Sequence, residues 1–315
     1  MRLLSQLLVV LAICLVAIAL PAAPAQANGG PQIELDPEEG VPGTNVTVYG
    51  SNFTADEELD IYYYRDPARV RVLQVETDED GDFEDTFVVP ESYTGIHEVR
   101  AYIGTSLQGA TNFTVEPGLT VSPRKGPVGT NVAVEGHGFA EDEEKIELRY
   151  YLNGNYATIA QNISADQYGN WERSFQIPVS AQGSHKIDAQ GEDSSLTEVQ
   201  DAAFEVTPGI ALDKSSGSPG ESIAVTGSGF ATGERDITIL FDGEAVETEI
   251  RADSTGYWQE DFDVPELARD MYAVTAEGEF TDEEEITALS FEIKPGLVLS
   301  SNQGHVGTNL TVTGG

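Results

Sequence analysis

A short segment that occurs four times limits the possible folds of this chain more than any other feature. Its most complete copy is residues 125–139, Lys-Gly-Pro-Val-Gly-Thr-Asn-Val-Ala-Val-Glu-Gly-His-Gly-Phe, and related copies begin at Gly40, Gly217 and Gly304. The copies recur at intervals of roughly 90 residues, which is the length of one small domain. The chain is therefore predicted to be a tandem array of one module.

The repeat divides the sequence into a leader, three complete modules and the truncated start of a fourth. The predicted ranges are 1–27 for a signal peptide, 28–118 for module one, 119–209 for module two, 210–296 for module three and 297–315 for module four. Only a Pro-Gly pair joins one module to the next. A linker this short has little slack, so we expect the modules to form a stiff rod.

Each module contains short stretches in which apolar and polar residues alternate. In module two these include Leu119-x-Val121, Val132-x-Val134 and Phe204-x-Val206. Alternation with a period of two is typical of strands with one buried face, and helical periodicity is almost absent. About seven such strands per module, separated by Gly, Pro, Asn and Asp turns, predict an all-β fold of tandem antiparallel β-sandwiches of the immunoglobulin-like (Ig-like) class.

A second signature, Asp-x-x-Gly-x-aromatic followed by Phe and Pro, recurs once per complete module. Asp and Gly are the residues that tight turns require, and the aromatic residue and the Phe share one face of the strand that follows. The three copies are Asp78, Gly81, Phe83, Phe87 and Pro90; Asp166, Gly169, Trp171, Phe175 and Pro178; and Asp253, Gly256, Trp258, Phe262 and Pro265.

The first signature resembles a known family. Residues 123–139, which read Pro-x-x-Gly-Pro-x-Gly-Thr-x-Val-x-Val-x-Gly-x-Gly-Phe, resemble the start of IPT/TIG Ig-like domains. The second signature is similar to tandem bacterial and archaeal Ig-like surface repeats, and together the resemblance covers residues 33–315. It implies a sandwich fold and an exported prokaryotic protein, and it carries no catalytic residue over to this chain.

The leader predicts export. Arg2 precedes an apolar run over residues 3–20, and Ala25-Gln26-Ala27 provides the small residues of a cleavage site. We therefore expect an extracellular or cell-surface protein. The only cysteine, Cys14, lies within this leader, so the mature chain has no disulfide bonds and depends on its core, on metal or on assembly for stability.

The net charge of the whole chain is −38, from 16 Lys and Arg residues against 54 Asp and Glu residues. Nucleic acid is excluded as a partner, and so is direct binding to an anionic membrane, because both need clusters of Lys and Arg. Two interpretations of the acidity remain. The carboxylates either keep a secreted chain soluble or bind a divalent cation through their oxygens.

The best candidate for a cation site is the acidic turn of module one. Asp78, Asp80, Asp82 and Glu84 place carboxylates at alternate positions around Gly81, as in part of a Ca²⁺ loop. The other modules repeat only the first Asp and the Gly, which turn geometry alone explains. The prediction is therefore a turn without a cofactor, with Ca²⁺ as the alternative.

Three further groups of side chains have two interpretations each. His97 and His185 occupy one position of the repeat, and we interpret them as packing residues rather than metal ligands. The runs 62–64 and 150–151 are tyrosines that form either an exposed binding strip or, since alternation buries one of each, part of the core. Residues 141–144 and 282–285 are interpreted as solvated loop charges.

The sequence supports three functional hypotheses. The first is a non-enzymatic structural or adhesive rod at the cell surface, whose partner is an unknown protein or glycan. The second is a spacer or carbohydrate-binding accessory region of a larger secreted enzyme, with its catalytic domain beyond residue 315. The third is a rod stiffened by calcium. No Ser, Cys or Lys nucleophile has a base in a recognisable arrangement, so we predict no enzymatic activity.

Overall fold

The computed structural model of the protein describes residues 29–65, 67–152, 154–301 and 303–314. The predicted signal peptide, residues 1–27, lies outside the described residues. The described chain is all-β, and its three complete modules are Ig-like β-sandwiches in tandem, each with one three-stranded and one five-stranded sheet. The predicted fold class is confirmed.

Module one contains eight strands. They are β1 (Gln32–Asp36), β2 (Glu39–Gly40), β3 (Asn45–Ser51), β4 (Glu58–Arg65), β5 (Ala68–Glu76), β6 (Phe83–Val88), β7 (Gly95–Ile103) and β8 (Ser106–Val115). The three-stranded sheet has the order β1-β3-β6, and the five-stranded sheet has the order β2-β8-β7-β4-β5.

Module two repeats this arrangement. Its strands are β9 (Gly118–Ser122), β10 (Lys125–Gly126), β11 (Asn131–His137), β12 (Ile146–Leu152), β13 (Asn155–Ile163), β14 (Trp171–Gln176), β15 (Gly183–Gln190) and β16 (Ala202–Val206). The orders are β14-β11-β9 and β10-β16-β15-β12-β13, the same as in module one.

Module three follows the same plan, and a single hairpin follows it. The elements are β17 (Gly209–Leu212), β18 (Ser216–Gly217), β19 (Ser222–Ser228), β20 (Ile237–Phe241), β21 (Glu244–Ile250), β22 (Trp258–Asp263), β23 (Met271–Glu277), a 3-10 helix (Glu283–Glu285), β24 (Leu289–Ile293), β25 (Leu297–Leu299) and β26 (Val312–Gly314). The sheets are β17-β19-β22 and β18-β24-β23-β20-β21, and β25 pairs antiparallel with β26.

The first segment of each module is divided between the two sheets. In module one, β1 pairs antiparallel with β3, and the chain then crosses to the other sheet, where β2 pairs parallel with β8. The pairs β10–β16 and β18–β24 are parallel in the same way. The other strand pairs of the described modules are antiparallel, as predicted. The short parallel pairs could not be read from the sequence, because a strand of two residues has no alternation that a sequence could reveal.

The core of each module lies between its two sheets, as the alternation predicts. On β3, Val46 and Val48 are fully buried, whereas their neighbours on the other face are exposed or half-buried. Burial of one such side chain stabilises the fold by about 1.5–3 kcal/mol. The three clusters of buried apolar residues each draw on one module alone, so each module has a core of its own.

Within the described part of the chain, no helix is long and apolar enough to cross a membrane.

Candidate functional site

The predicted calcium turn is closed by its own backbone. The carboxylate oxygen Oδ1 of Asp78 accepts hydrogen bonds from the backbone N–H groups of Asp80 and Asp82, both at 2.9 Å. Asp82 in turn accepts a longer one, 3.3 Å, from the N–H of Asn52, and Glu84 lies exposed on β6. Among the described residues, no group of three or more His, Cys, Asp or Glu side chains is arranged to hold a metal ion.

The same turn is built in the other modules without carboxylates at the positions of Asp80 and Asp82. Asp166 accepts from the N–H groups of Tyr168 and Asn170 at 2.8 and 2.9 Å. Asp253 accepts from the hydroxyl and N–H of Thr255, both at 2.7 Å, and these hydrogen bonds hold the pKa of Asp253 below its usual range. The recurring Asp therefore closes a turn, and the absence of a cofactor stays the prediction for module one, with Ca²⁺ as the untested alternative.

The two sequence signatures meet in space. In module two, the N–H of Phe139 donates to the carbonyl of Gly169 at 3.1 Å, and the ring of Phe139 packs edge-on against Trp171 with 5.5 Å between centroids. Gly169 has φ +76°, and a Cβ there would lie 2.1 Å from the Phe139 carbonyl oxygen, so only glycine fits. Modules one and three form the same contacts through Phe53 and Phe230.

The carbonyl group of this Phe also joins one module to the previous one. The N–H of Thr94 in module one donates to the carbonyl of Phe139 at 3.0 Å, and the N–H of Gln182 in module two donates to the carbonyl of Phe230 at 3.0 Å. Thr94 and Gln182 occupy the same position of the repeat, four residues after its Pro. We call these two hydrogen bonds the junction bonds.

The first Pro-Gly linker, Pro117-Gly118, contacts the modules on both sides of it. The N–H of Gln200 donates to the carbonyl of Pro117 at 2.8 Å, which attaches the first linker to module two. On the other side, a Cβ at Gly118 would lie 2.6 Å from a side-chain carbon of Val41 in module one. Glycine therefore allows the linker backbone to approach module one closely.

The first junction has polar contacts that the second lacks. The guanidinium of Arg65 lies over the ring of Tyr168 with 4.4 Å to the centroid, and the amide of Asn170 donates to Glu91 at 3.3 Å. The corresponding positions at the second junction are Leu152 and Thr255. A cation–π contact at an exposed site contributes about 0.5–1 kcal/mol.

A buried tyrosine supports the loop that carries Thr94. The hydroxyl of Tyr63 lies 3.0 Å from the hydroxyl of Ser92, which donates to the carbonyl of Pro90 at 2.8 Å. Burial raises the pKa of Tyr63. In module two, Tyr150 and Ser180 form the same contact at 3.1 Å, and burial raises the pKa of Tyr150 to about 12.

A buried histidine supports the same loop. The Nε2 atom of His97 lies 2.8 Å from the carbonyl oxygen of Tyr93, and Nδ1 lies 3.0 Å from that of Tyr64. His185 makes the equivalent contacts in module two. The interpretation of these histidines as packing residues is confirmed, since both are buried.

One buried carboxylate was missed by the sequence reasoning. Glu143, predicted to be a solvated loop charge, is 2% exposed and accepts hydrogen bonds from the N–H groups of Ala140, Asp193 and Ser194 and from the Ser194 hydroxyl. The prediction is wrong for this residue, because its side chain holds the connection between β15 and β16. The other members of both runs, 141–144 and 282–285, are exposed as predicted.

Module three uses Glu234 in the same way. This side chain is 1% exposed and accepts from the N–H groups of Ala231 and Phe280 and from the hydroxyl of Thr281. In module one the equivalent residue, Glu57, is half-buried. There the two strands are joined by the short turn between Ile103 and Ser106, so no long connection has to be held.

The outer face of the five-stranded sheet in module one carries a cluster of aromatic and basic side chains. Alternation on β4 buries Tyr63 and directs Tyr62 and Tyr64 outward, as the sequence predicts. We call this surface the Tyr–Arg face. It consists of Tyr62, Tyr64, Arg69, Arg100 and Tyr102.

The side chains of the Tyr–Arg face contact one another closely. The hydroxyls of Tyr64 and Tyr102 are 2.7 Å apart, and Arg69 donates to the Tyr64 hydroxyl at 2.9 Å. The guanidinium of Arg69 lies 4.3 Å from the ring centroid of Tyr62, and that of Arg100 lies 4.2 Å from that of Tyr64. Burial raises the pKa of Tyr64, but hydrogen bonds from Tyr102, Arg69 and Arg100 outweigh it, and the net shift is downward.

Modules two and three differ from module one on this face. In module two the cation–π pair is reversed: the arginine, Arg149, lies on β12 and the tyrosine, Tyr156, lies on β13. Lys186 forms ion pairs with Asp188 and Asp201. In module three, Leu240 and Thr275 take the positions of Tyr62 and Arg100. Only module one combines three tyrosines with two arginines here, within the described residues.

No protein-family model matches the chain, and no curated protein matches it. Solved structures with similar arrangements include a tetra-tandem repeat in the extending region of a large adhesion protein, at 16% identity over 86% of this chain and 76% of that one, with a TM-score of 0.27. The SGBP-B protein of the Bacteroides ovatus mixed-linkage glucan utilization locus has 13% identity over 85% of this chain and 70% of that one, with a TM-score of 0.28.

The Yersinia pseudotuberculosis adhesin InvE is similar over 56% of this chain and 58% of its own, at 10% identity and a TM-score of 0.28. TM-scores and identities this low carry no argument about function. The chain is a tandem Ig-like repeat protein by its own architecture, and its resemblance to IPT/TIG domains stays a prediction.

Proposed function

We propose that the chain is an exported, non-enzymatic structural and adhesive protein, in which Ig-like modules form a stiff rod at the cell surface. The observation that carries the proposal is the pair of junction bonds. Thr94 to Phe139 and Gln182 to Phe230 are the same main-chain contact between the same positions of the repeat. A contact that recurs at both junctions favours one fixed relation between neighbouring modules.

Two further features support stiffness. The linkers are single Pro-Gly pairs; the first is hydrogen-bonded to module two, and Gly118 and Gly209 each lie close to the module before. The loops that carry the junction bonds in modules one and two are supported from inside by Tyr63 and His97, or by Tyr150 and His185. Surface loops without such support are usually the most mobile parts of a domain.

The stiffness is tested by measuring the distance between two modules. The mature chain has no cysteine, since Cys14 lies in the leader, so two can be introduced without a background signal. We expect spin labels on Thr105→Cys and Ser164→Cys, both exposed positions, to give one narrow distance distribution in pulsed electron paramagnetic resonance.

The matched control carries the same labels and a flexible Gly-Ser insertion between Pro117 and Gly118. This variant is expected to give a broad distribution, because a Gly-Ser linker behaves as a random coil. A distribution in the unmodified chain as broad as that of the insertion variant would falsify the rod.

Export is tested separately with the full sequence. When the chain is produced with its own leader in a bacterial host, the protein recovered outside the cytoplasm should begin at Asn28. A product that retains residues 1–27 contradicts this part of the proposal.

A further inference from the structure

The positive charge of module one is gathered on one sheet. Between residues 28 and 118 there is no Lys, and the four Arg residues all lie on β4, β5 and β7. They are Arg65, Arg69, Arg71 and Arg100. The chain as a whole has a net charge of −38, so most of its surface repels an anionic partner.

Two of these arginines have partners that account for their positions. Arg65 donates to the backbone carbonyl of Glu91 at 2.7 Å and lies over Tyr168 at the junction. Arg71 forms an ion pair with Asp60 at 2.9 Å. Neither guanidinium is directed at the centre of the Tyr–Arg face.

The other two arginines flank the pair of tyrosine hydroxyls. Arg69 forms no ion pair with a described carboxylate, and its described partners are the hydroxyl and the rings of tyrosines. Arg100 pairs with Glu98, whose side chain is 46% exposed and open to competition from solvent and from other anions. The face therefore presents two guanidinium groups beside two hydroxyls that can each donate and accept.

This combination has a specific chemistry. Guanidinium groups recognise carboxylates through paired, charge-assisted hydrogen bonds. Phenol hydroxyls can both donate to and accept from the hydroxyl groups of a sugar. The outer face of a sheet is also open along its length, so an extended chain of sugars can lie across it.

We propose that the Tyr–Arg face of module one binds an acidic polysaccharide, one whose sugars carry carboxylates. The proposal rests on the adhesive part of the proposed function and names its partner class. Charge complementarity supplies the selectivity, since the rest of the acidic rod repels the same polymer. Arg69 and Arg100 hold the carboxylate, and Tyr64 and Tyr102 bond to the sugar hydroxyls.

The test compares two probes that differ only in charge. The full mature chain is titrated by calorimetry with an oligogalacturonate and with the same oligomer as its methyl ester. EDTA is present throughout, so that calcium cannot bridge the acidic protein and the acidic sugar. The free acid should bind about tenfold more tightly than the ester, which is the effect of about one charge-assisted hydrogen bond.

Variants of the protein assign the site. Arg69→Gln with Arg100→Gln is expected to weaken binding of the free acid about tenfold or more. The matched control is Lys145→Gln with Arg173→Gln, which removes two exposed positive charges from module two and should leave binding unchanged. Arg69→Lys keeps the charge but loses the paired geometry, so it should bind less tightly than the unmodified chain and more tightly than Arg69→Gln.

Three results would overturn the proposal: equal binding of acid and ester, no loss in the module-one double variant, or an equal loss in the module-two control. Tight binding of a poly-glutamate peptide in place of the oligogalacturonate would also overturn it, because the partner would then be an acidic protein. The spin-label distances of the unmodified chain are independent of all these outcomes, so failure here is distinguishable from failure of the rod.

Discussion

Modules one and two share the main-chain contacts at the end that meets the next module, and they differ in one connection and on the outer face of the larger sheet. Both form the junction bond, the Tyr–Ser contact and the buried histidine from the same positions. They differ in the connection between the last two strands, which is a short turn in module one and a long segment held by Glu143 in module two. The difference teaches that the repeat preserves the main-chain hydrogen bond between modules and varies the side chains around it and on the surfaces that face outward.

The largest expected effect is at the glycine that both modules share. Gly169→Ala should destabilise module two by about 4 kcal/mol, because the new Cβ meets a backbone oxygen and φ is positive. Gly81→Ala should cost module one about as much. Chemical denaturation of the full chain measures both.

The control for this change is Gly154→Ala. Gly154 also has a positive φ, +87°, but nothing lies within 4 Å of the new Cβ. Its cost should be limited to backbone strain of about 1 kcal/mol. Equal losses at Gly169 and Gly154 would show that close packing against Phe139 is unimportant.

The second prediction tests whether modules one and two differ in their dependence on the Glu that follows the recurring Phe by four residues. Glu143→Ala should destabilise module two by about 3 kcal/mol, since it leaves buried N–H groups of the long connection without an acceptor. Glu57→Ala, at the same position of module one, should cost about 0.5 kcal/mol. Hydrogen exchange should show lost protection over residues 191–201 only in the first variant. If Glu57→Ala is as costly as Glu143→Ala, the two modules do not differ as described.

The third prediction concerns alkaline pH. Burial raises the pKa of Tyr150 to about 12, from an ordinary value of 10.0, so the folded state holds the proton that the unfolded state has lost between these values. The stability of module two should therefore be unaffected below pH 10 and fall between about pH 10 and 12. Module three has Phe241 at this position and lacks this contribution.

Tyr150→Phe tests the assignment. This variant should lose stability at neutral pH, because the Ser180 hydroxyl loses one of its two hydrogen-bond partners, Tyr150 and the Pro178 carbonyl. Its unfolding midpoint should nevertheless fall less steeply between about pH 10 and 12 than that of the unmodified chain. An unchanged slope would mean that another group controls the alkaline transition.

The smallest expected effect is that of calcium. Since the carboxylate of Asp78 is already used by two N–H groups of its own turn, we expect thermal unfolding to have the same midpoint with calcium and with chelator. A ligand that binds only the native state must raise the midpoint. A higher midpoint in calcium that disappears in Asp80→Asn would establish the calcium-stiffened rod instead.

The parts of this structure that were predictable from sequence have strong local patterns. Val132-x-Val134 reveals a half-buried strand by alternation, and Asp166 with Gly169 reveals a turn by residue type. The buried role of Glu143 has no such pattern, because an acidic loop looks the same whether one carboxylate turns inward or not. The sequence did contain one indication of this role. Module two has a Glu four residues after Phe139 and also a longer segment between its last two strands, before Phe204.

The Tyr–Arg face was only half predictable. Alternation separates the buried Tyr63 from the exposed Tyr62 and Tyr64. It does not show that Arg69 and Arg100 lie beside them, because these residues come from three strands whose order in the sheet is set by the whole sandwich. The local sequence around each residue does not indicate which strands pair in the sheet.

The parallel pairing of β2 with β8 determines how a module responds to mechanical load. The N–H of Thr114 donates to the carbonyl of Glu38 at 2.9 Å, and the N–H of Glu116 donates to that of Gly40 at 3.0 Å. These bonds join the beginning of module one to its end, across strands that run in one direction. Tension that pulls the two ends apart therefore loads the bonds together in shear instead of opening them one after another. Single-molecule stretching should detect this as one abrupt rupture per module, in place of gradual extension.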